Sequence, residues 1–317
     1  MTSRADQGAA AMVSTVHRRT ETPTVRALVV LAGSVRPSDL SRAIDSSLLD
    51  LPVVAGATVL SLWIEQARLL AERTNVTSLP MRVVIDQTGP APMVEAADAR
   101  APVTVERDPA DFRGTGGVLR DSTSTYGPDD RVLLATGAQV LTEPLPGLVD
   151  ELWKLGGEIA LVAHADGTPS GLFLVRVGAL AGVNPVGFVD LKEQFLPRLA
   201  SHGADIRVLR RATATGIPVR TLDGYLAALR SRASAGDQGV TNPFAEDWAT
   251  TFSLVDPAAR VDPTATVHDS VVLRGGVVER GATVVRSVVG PRGIVKAGQT
   301  VADSVIGAGR ERTRGAA

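Results

Sequence analysis

The sequence predicts an α/β domain on a mostly parallel sheet with helices on both faces, followed by a short parallel β-helix. Three observations carry this. Apolar runs of strand length, such as Val25–Ala32 (VRALVVLA), alternate with segments of helical periodicity, as buried parallel strands joined by helices do. From Val261 to Gly307, small β-branched residues recur about every six positions, the mark of stacked coils with a short strand and a corner per repeat. Val261, Val267, Val278, Val284, Val289, Val295 and Val301 mark the period, with Val267, Val284, Val289 and Val301 expected to point inward over two to three coils. Hydrophobic residues make up 44% and charged residues 21%, a balance that permits a sizeable core. With three Trp, two Tyr and six Phe, that core must be built from Val, Leu and Ala.

The elements follow in order. Residues 1–24 hold no apolar segment and are expected to be a disordered tail. Val25–Ala32 is the first strand, ended by Gly33. A helix follows over Thr58–Glu72, with Thr58 as N-cap and Val59, Leu62, Trp63, Gln66, Leu69 and Leu70 at helical spacing. MRVVID (Met81–Asp86) and VLLA (Val132–Ala135) are the next strands. EIALVAH (Glu158–His164) and GLFLVRV (Gly171–Val177) form a later strand pair, and Asp190–Gly203 is a helix interrupted at Pro197. Strands alternating with helices define a Rossmann-like domain over residues 25–233. A stretch rich in turn formers reads as a linker over 234–258, the repeats occupy 259–308, and 309–317 is a tail.

Several classes are excluded. A formal net charge of −1 leaves no basic footprint for nucleic acid. No apolar run approaches the roughly 20 residues that span a bilayer, so no membrane partner is expected. Without cysteine there is no disulfide, thiolate metal site or thiol nucleophile; this fits a cytoplasmic protein. The histidines at 17, 164, 202 and 268 show no metal spacing. His164-Ala165-Asp166 reads as a loop after a strand, and Asp129-Asp130 as a turn before one.

Two motifs together carry a family resemblance. FRGTGGVLRD (Phe112–Asp121) is a glycine-rich loop opening a helix, followed by the strand RVLLATG, and the chain ends in the six-residue repeats. PSGLFLVR, DLKEQFLPRL and GIPVRTLDGYLAAL fall between them in order. The chain thus resembles the sugar-phosphate nucleotidyltransferases over about Val25 to Gly307. That resemblance implies a left-handed β-helix and a role in nucleotide-sugar metabolism. In the family's reaction a sugar 1-phosphate attacks the α-phosphorus of a nucleoside triphosphate and expels pyrophosphate. The protein supplies positioning and positive charge, and aspartates hold Mg2+ through the hard oxygens it prefers.

By the same resemblance, Ala32, Gly33, Arg36, Gly114, Thr115, Gly116, Gly117 and Gly137 are nucleotide-binding candidates. Arg36 is the one catalytic candidate. Gly171, Asp190, Lys192 and Glu193 are sugar-binding candidates. The charged machinery, however, is missing. Ser34 and Val35 stand where the first loop has glycines, and Leu51 stands where the phosphate-binding lysine belongs. Thr136-Gly137-Ala138 replaces the metal aspartate's turn, with neutral Gln139 beside it, and Pro218 falls where the second aspartate is expected. Pro169 stands at the sugar-contacting asparagine.

No metal ligand is therefore assigned, and Mg2+ enters only if the protein is active. Three readings remain open. One is an impaired nucleotidyltransferase-like subunit, regulatory or assembling with a paralogue, or binding a nucleotide or sugar nucleotide. The second is an active enzyme with atypical ligands, and the third a β-helix oligomerisation module. A homo-oligomer or a paralogous complex is expected, because each coil is too small to bury its own apolar side.

Overall fold

The computed structural model describes residues 24–32, 38–94, 98–108, 113–236, 252–308 and 310–313. Its centre is a seven-stranded sheet made of β1 (Ala27–Leu31), β4 (Met81–Ile85), β5 (Val103–Arg107), β6 (Arg131–Thr136), β8 (Ile159–His164), β9 (Pro169–Arg176) and β10 (Ile206–Arg211). The strand order is β10-β8-β9-β6-β1-β4-β5. β1 runs parallel to β4 and β6, β4 to β5, and β8 to β10, while β9 lies antiparallel between β6 and β8. Two short ribbons stand outside this sheet: β2 (Pro52–Val54) with β3 (Ala57–Thr58), and β7 (Gln139–Leu141) with β11 (Gly216–Pro218).

Residue alternation explains the continuous apolar runs. In β1, Leu28 and Val30 join one core and Val29 the opposite one; in β6, Leu133 and Ala135 join the first, Val132 and Leu134 the second. Helices α2 (Val59–Arg73), α4 (Leu145–Leu155) and α6 (Leu222–Gly236) bury apolar side chains in the first core. α3 (Gly114–Thr123), through Leu119, and the turns around Leu180 and Leu191 cover the second. Thr58 caps α2 as expected, closing a capping box with Ser61. The buried stripe of α2 differs from the expected one: Leu60, Ala67 and Ala71 are buried with Val59, Trp63 and Leu70, while Gln66 turns toward α4 and accepts from the Leu145 amide. The helix expected over 190–203 is a π-turn at Leu191–Phe195 running into α5 (Leu196–Ser201), with Pro197 in the first turn, where its missing N–H costs nothing.

The C-terminal coils register at 17 residues: Thr266 pairs with Thr283, and Thr283 with Thr300. One side of each coil is thus a residue shorter than three hexads would give. At that corner stand Asp269, Arg286 and Asp303, all in the left-handed backbone region, each followed by a serine of zero exposure. Ser287 and Ser304 donate their amides to the hydroxyls of Ser270 and Ser287 one coil back, and each of the three hydroxyls donates to a carbonyl two residues upstream. The corner's polar groups are thereby satisfied in the interior.

The first coil begins at Ser253, inside the segment read as linker, because Ser253–Val255 pairs with Ser270–Val272. α6 likewise runs past 233, to Gly236. The last coil is flanked by Arg310–Thr313, antiparallel to Ser304–Gly307, so part of the expected tail is a strand. Val284, Val289 and Val301 fill the coil interior with Val272, Val278, Val295 and Ile306. Val267 sits in the first coil and is only partly buried.

One coil face is covered by the α/β domain. Leu254, Val271, Val288 and Val305 join the first core, while Val272, Val289 and Ile306 face inward. This sheet is therefore apolar on both sides, which is why its strands carry consecutive valines. The Ala43 and Ile44 end of α1 (Asp39–Ile44) lies close against Gly307 and Gly290. Arg230 of α6 reaches Asp269 at 3.4 Å.

Candidate functional site

The parallel strands β1, β4, β5 and β6 share one carboxyl edge, where an open α/β sheet binds its ligands. Gly33, Arg36 and Phe112 lie outside the described residues; Ala32 and Gly137 follow strands at this edge, and Gly114 opens α3. The turn after β6 is fixed from three sides. Gly137 donates its amide to Leu31 O at 2.8 Å, and its carbonyl accepts from Trp63 Nε1 at 2.9 Å. The Ala138 carbonyl accepts from Val219 N at 3.0 Å. Ala138 is 6% exposed within the first apolar core, alongside Leu49 and Leu51, each 1% exposed.

Magnesium does not fit this turn. The side chain at 138 is a methyl group inside hydrocarbon, in the same apolar core as Leu51. Among the described residues no three His, Asp or Glu side chains gather to hold a metal ion.

A polar rim lies beside the turn. Thr115 Oγ1 accepts from Leu191 N at 2.9 Å and donates to Asp190 Oδ2 at 3.3 Å. Asp190 Oδ1 accepts from the amides of Lys192 and Glu193, both at 2.8 Å, capping the π-turn. Lys192 Nζ donates to Pro169 O at 3.4 Å. The residue is exposed as a whole, yet its amine is partly desolvated, which lowers its pKa below the usual lysine value against the pull of Asp190. Glu193 is exposed on the same turn.

Two backbone features shape the rim. Gly114 has φ +70°, and a Cβ there would lie 2.5 Å from Val189 O, so only glycine lets the loop approach Val189. Gly116 donates to that same carbonyl at 2.9 Å, and Gly117 lies under the guanidinium of Arg113, which Asp121 holds at 2.8 Å. These packing roles account for the glycines of the GTGG motif without a nucleobase. At the start of β9 the pairing with β8 shifts register between Leu161 and Ala163, a bulge of the kind that re-aims side chains at sites. Gly171 sits in it at φ +88°, its Cα hydrogens facing Thr136 Oγ1. Ser170 Oγ, next to it, is buried with no hydrogen-bond partner among the described residues.

The structure thus gathers Thr115, Asp190 and Lys192 in one hydrogen-bonded rim, and Gly171 against the turn after β6. Sequence reasoning missed Trp63 as the brace of that turn and Ser170 as an unpaired group. Only the β9 bulge, visible in three dimensions, distinguishes Ser170 from an ordinary strand serine. His164 ends β8, and Asp166 accepts from Thr168 N in the turn beyond, as expected of a loop. Asp130 likewise closes a turn through Gly127 N.

The class these features define is an α/β domain with a mixed, mostly parallel sheet joined to a parallel β-helix. No helix among the described residues is long and apolar enough to cross a membrane. No family model matches the chain, and no curated protein matches it. Among solved structures it is similar to the Mycobacterium sp. strain JC1 homologue of Mycobacterium tuberculosis Rv0371c, at 18% identity and TM-score 0.44, covering 66% of this chain and 98% of that one. It is also similar to HddC of Yersinia pseudotuberculosis, at 12% identity and TM-score 0.47, covering 66% of this chain and 100% of the other.

Proposed function

We propose that this protein is a nucleotidyltransferase-like subunit that has given up phosphoryl chemistry and retains a ligand-binding, assembly-competent fold. The observation that carries this is Ala138, buried in the apolar core at the turn where the family's metal carboxylate would stand. Losing one preorganised electrostatic contact typically costs on the order of 100- to 1,000-fold in rate, and here the carboxylate and the lysine are both replaced. Retained binding is supported by the rim, where Lys192 Nζ, bonded only to Pro169 O, offers unused donor capacity to a sugar or phosphate. Assembly is supported by the first coil, whose Val255 is 45% exposed and whose Val261 and Val267 are partly buried.

The test is pyrophosphate release from each common nucleoside triphosphate with a panel of sugar 1-phosphates, with and without magnesium. Thermal shift with nucleotides and sugar nucleotides, and light scattering of the full chain, run alongside. The expected result is no magnesium-dependent release, a shift with at least one sugar nucleotide, and a mass above the monomer. Magnesium-dependent turnover lost in D190N would replace this reading with an active enzyme using other ligands.

A further inference from the structure

A cavity lies between α2, β7 and α6, lined in part by Gln139 just after the β6–β7 turn. Its volume is about 90 Å3, room for roughly six waters at ~15 Å3 of void each. Leu62 and Leu141 give it apolar walls, and Trp63, Gln66, Gln139 and Arg232 give it donors and an aromatic edge. Two of these polar groups are unspent. Gln139 is 5% exposed, yet its carboxamide has no hydrogen-bond partner among the described residues, and neither has the guanidinium of Arg232. Both groups face the cavity with their hydrogen-bonding capacity free, so a guest there can take it up.

The chemistry of the lining names the guest. Gln66 has committed its oxygen to Leu145 N at 2.7 Å, which leaves its NH2 as a donor. Gln139 adds a second amide and Arg232 a planar cation, the fork that matches carboxylate and phosphate oxygens. Glu65 also lines the cavity, but both of its oxygens are held by Arg68 at 2.7 Å, so its charge is compensated. We propose that this cavity is a binding site for a small oxyanion, the carboxylate or phosphate end of a metabolite, gripped by Arg232 and the carboxamides of Gln66 and Gln139. Trp63 also braces Gly137, and Gln139 follows Ala138 directly, so an occupant would bear on the turn. Neither Thr115, Asp190 nor Lys192 lines this site, and it needs no turnover.

Calorimetric titration of the full chain at constant ionic strength tests this, with inorganic phosphate in one arm and acetate in the other. Saturable one-to-one binding in at least one arm is expected, and the arm that binds identifies the oxyanion. R232Q and Q139L should each weaken it at least about tenfold, with melting profiles showing that both variants fold. R198Q, on exposed α5, should bind as the wild type does. Absence of saturable binding in both arms overturns the proposal, as does wild-type affinity in R232Q and Q139L, or equal loss in R198Q. Failure of the sugar-nucleotide screen leaves this outcome unchanged, so the two readings fail separately.

Discussion

The turn after β6 and the rim beside it stand at the same sheet edge and are built in opposite ways. The turn is closed: Trp63, Leu31 and Val219 satisfy its backbone, and Ala138 and Leu51 fill it with hydrocarbon. The rim is open: Thr115, Asp190 and Lys192 satisfy one another at the surface, and Ser170 Oγ is left over. One sheet edge thus carries two kinds of surface: a turn packed as core, and a rim of polar groups at the surface. The glycines of the GTGG loop are explained by Val189 and Arg113, and Asp190 by the turn it caps.

The largest expected effect comes from putting a charge into the turn. Ala138→Asp places a carboxylate in the first apolar core, and an uncompensated buried charge costs on the order of 3–5 kcal/mol. Urea denaturation should show that loss at neutral pH, with partial recovery in acid as the carboxyl protonates. Millimolar magnesium should not restore it. A variant as stable as the wild type that binds magnesium would show that the turn opens onto the cleft after all.

Next comes the brace. Trp63→Phe removes the indole N–H that meets Gly137 O, leaving that carbonyl with the Gln139 amide alone, and empties part of the space the larger ring fills, together at about 1–3 kcal/mol. Hydrogen exchange should rise at the amides of Gly137 and Gln139 before it rises in β1. Uniform loss of protection across the sheet would mean that Trp63 serves the core in general.

The rim is held more lightly. Thr115→Val deletes the acceptor for Leu191 N and the donor to Asp190 while keeping the branched shape. At an exposed position the cost should be about 1 kcal/mol. A change in sugar-nucleotide affinity larger than the change in stability would tie Thr115 to the ligand; matching changes would leave it a structural link.

The contrast between turn and rim also sets how much could be read in advance. β1, β4, β6, β8 and α2 were legible because continuous valine and leucine runs and a Thr cap are local signals. β5 (VTVER) and β10 (IRVLRR) were not, because edge strands carry charge and lose the apolar run. The six-residue pulse of the coils was visible, but the 17-residue register depends on a corner one residue short, set by left-handed Asp269, Arg286 and Asp303. At the site, the uncharged character of Thr136, Gly137, Ala138 and Gln139 was legible by residue type alone. The indole brace and the β9 bulge join residues far apart in sequence, and no local pattern announces them.

The smallest effect is the most specific to the rim. Burial lowers the pKa of Lys192 from 10.5, and Asp190 opposes that shift. For a base depressed in the folded state, the unfolded chain holds more protons across the window just below the ordinary value. Stability must then rise as pH climbs through that window, because the cost of the desolvated ammonium disappears. Lys192→Met removes the titrating group while keeping an apolar stem of similar length. The melting temperature of the wild type should gain on that of K192M as pH rises toward the ordinary lysine value of 10.5, and the gain should be modest because the residue is exposed. A saturating sugar nucleotide that bears its phosphate on Lys192 would hold the ammonium charged and reverse the trend within the same window. A wild-type minus K192M difference that stays flat with pH, with and without that ligand, would show that the amine is fully solvated and that the rim offers no cation to a phosphate.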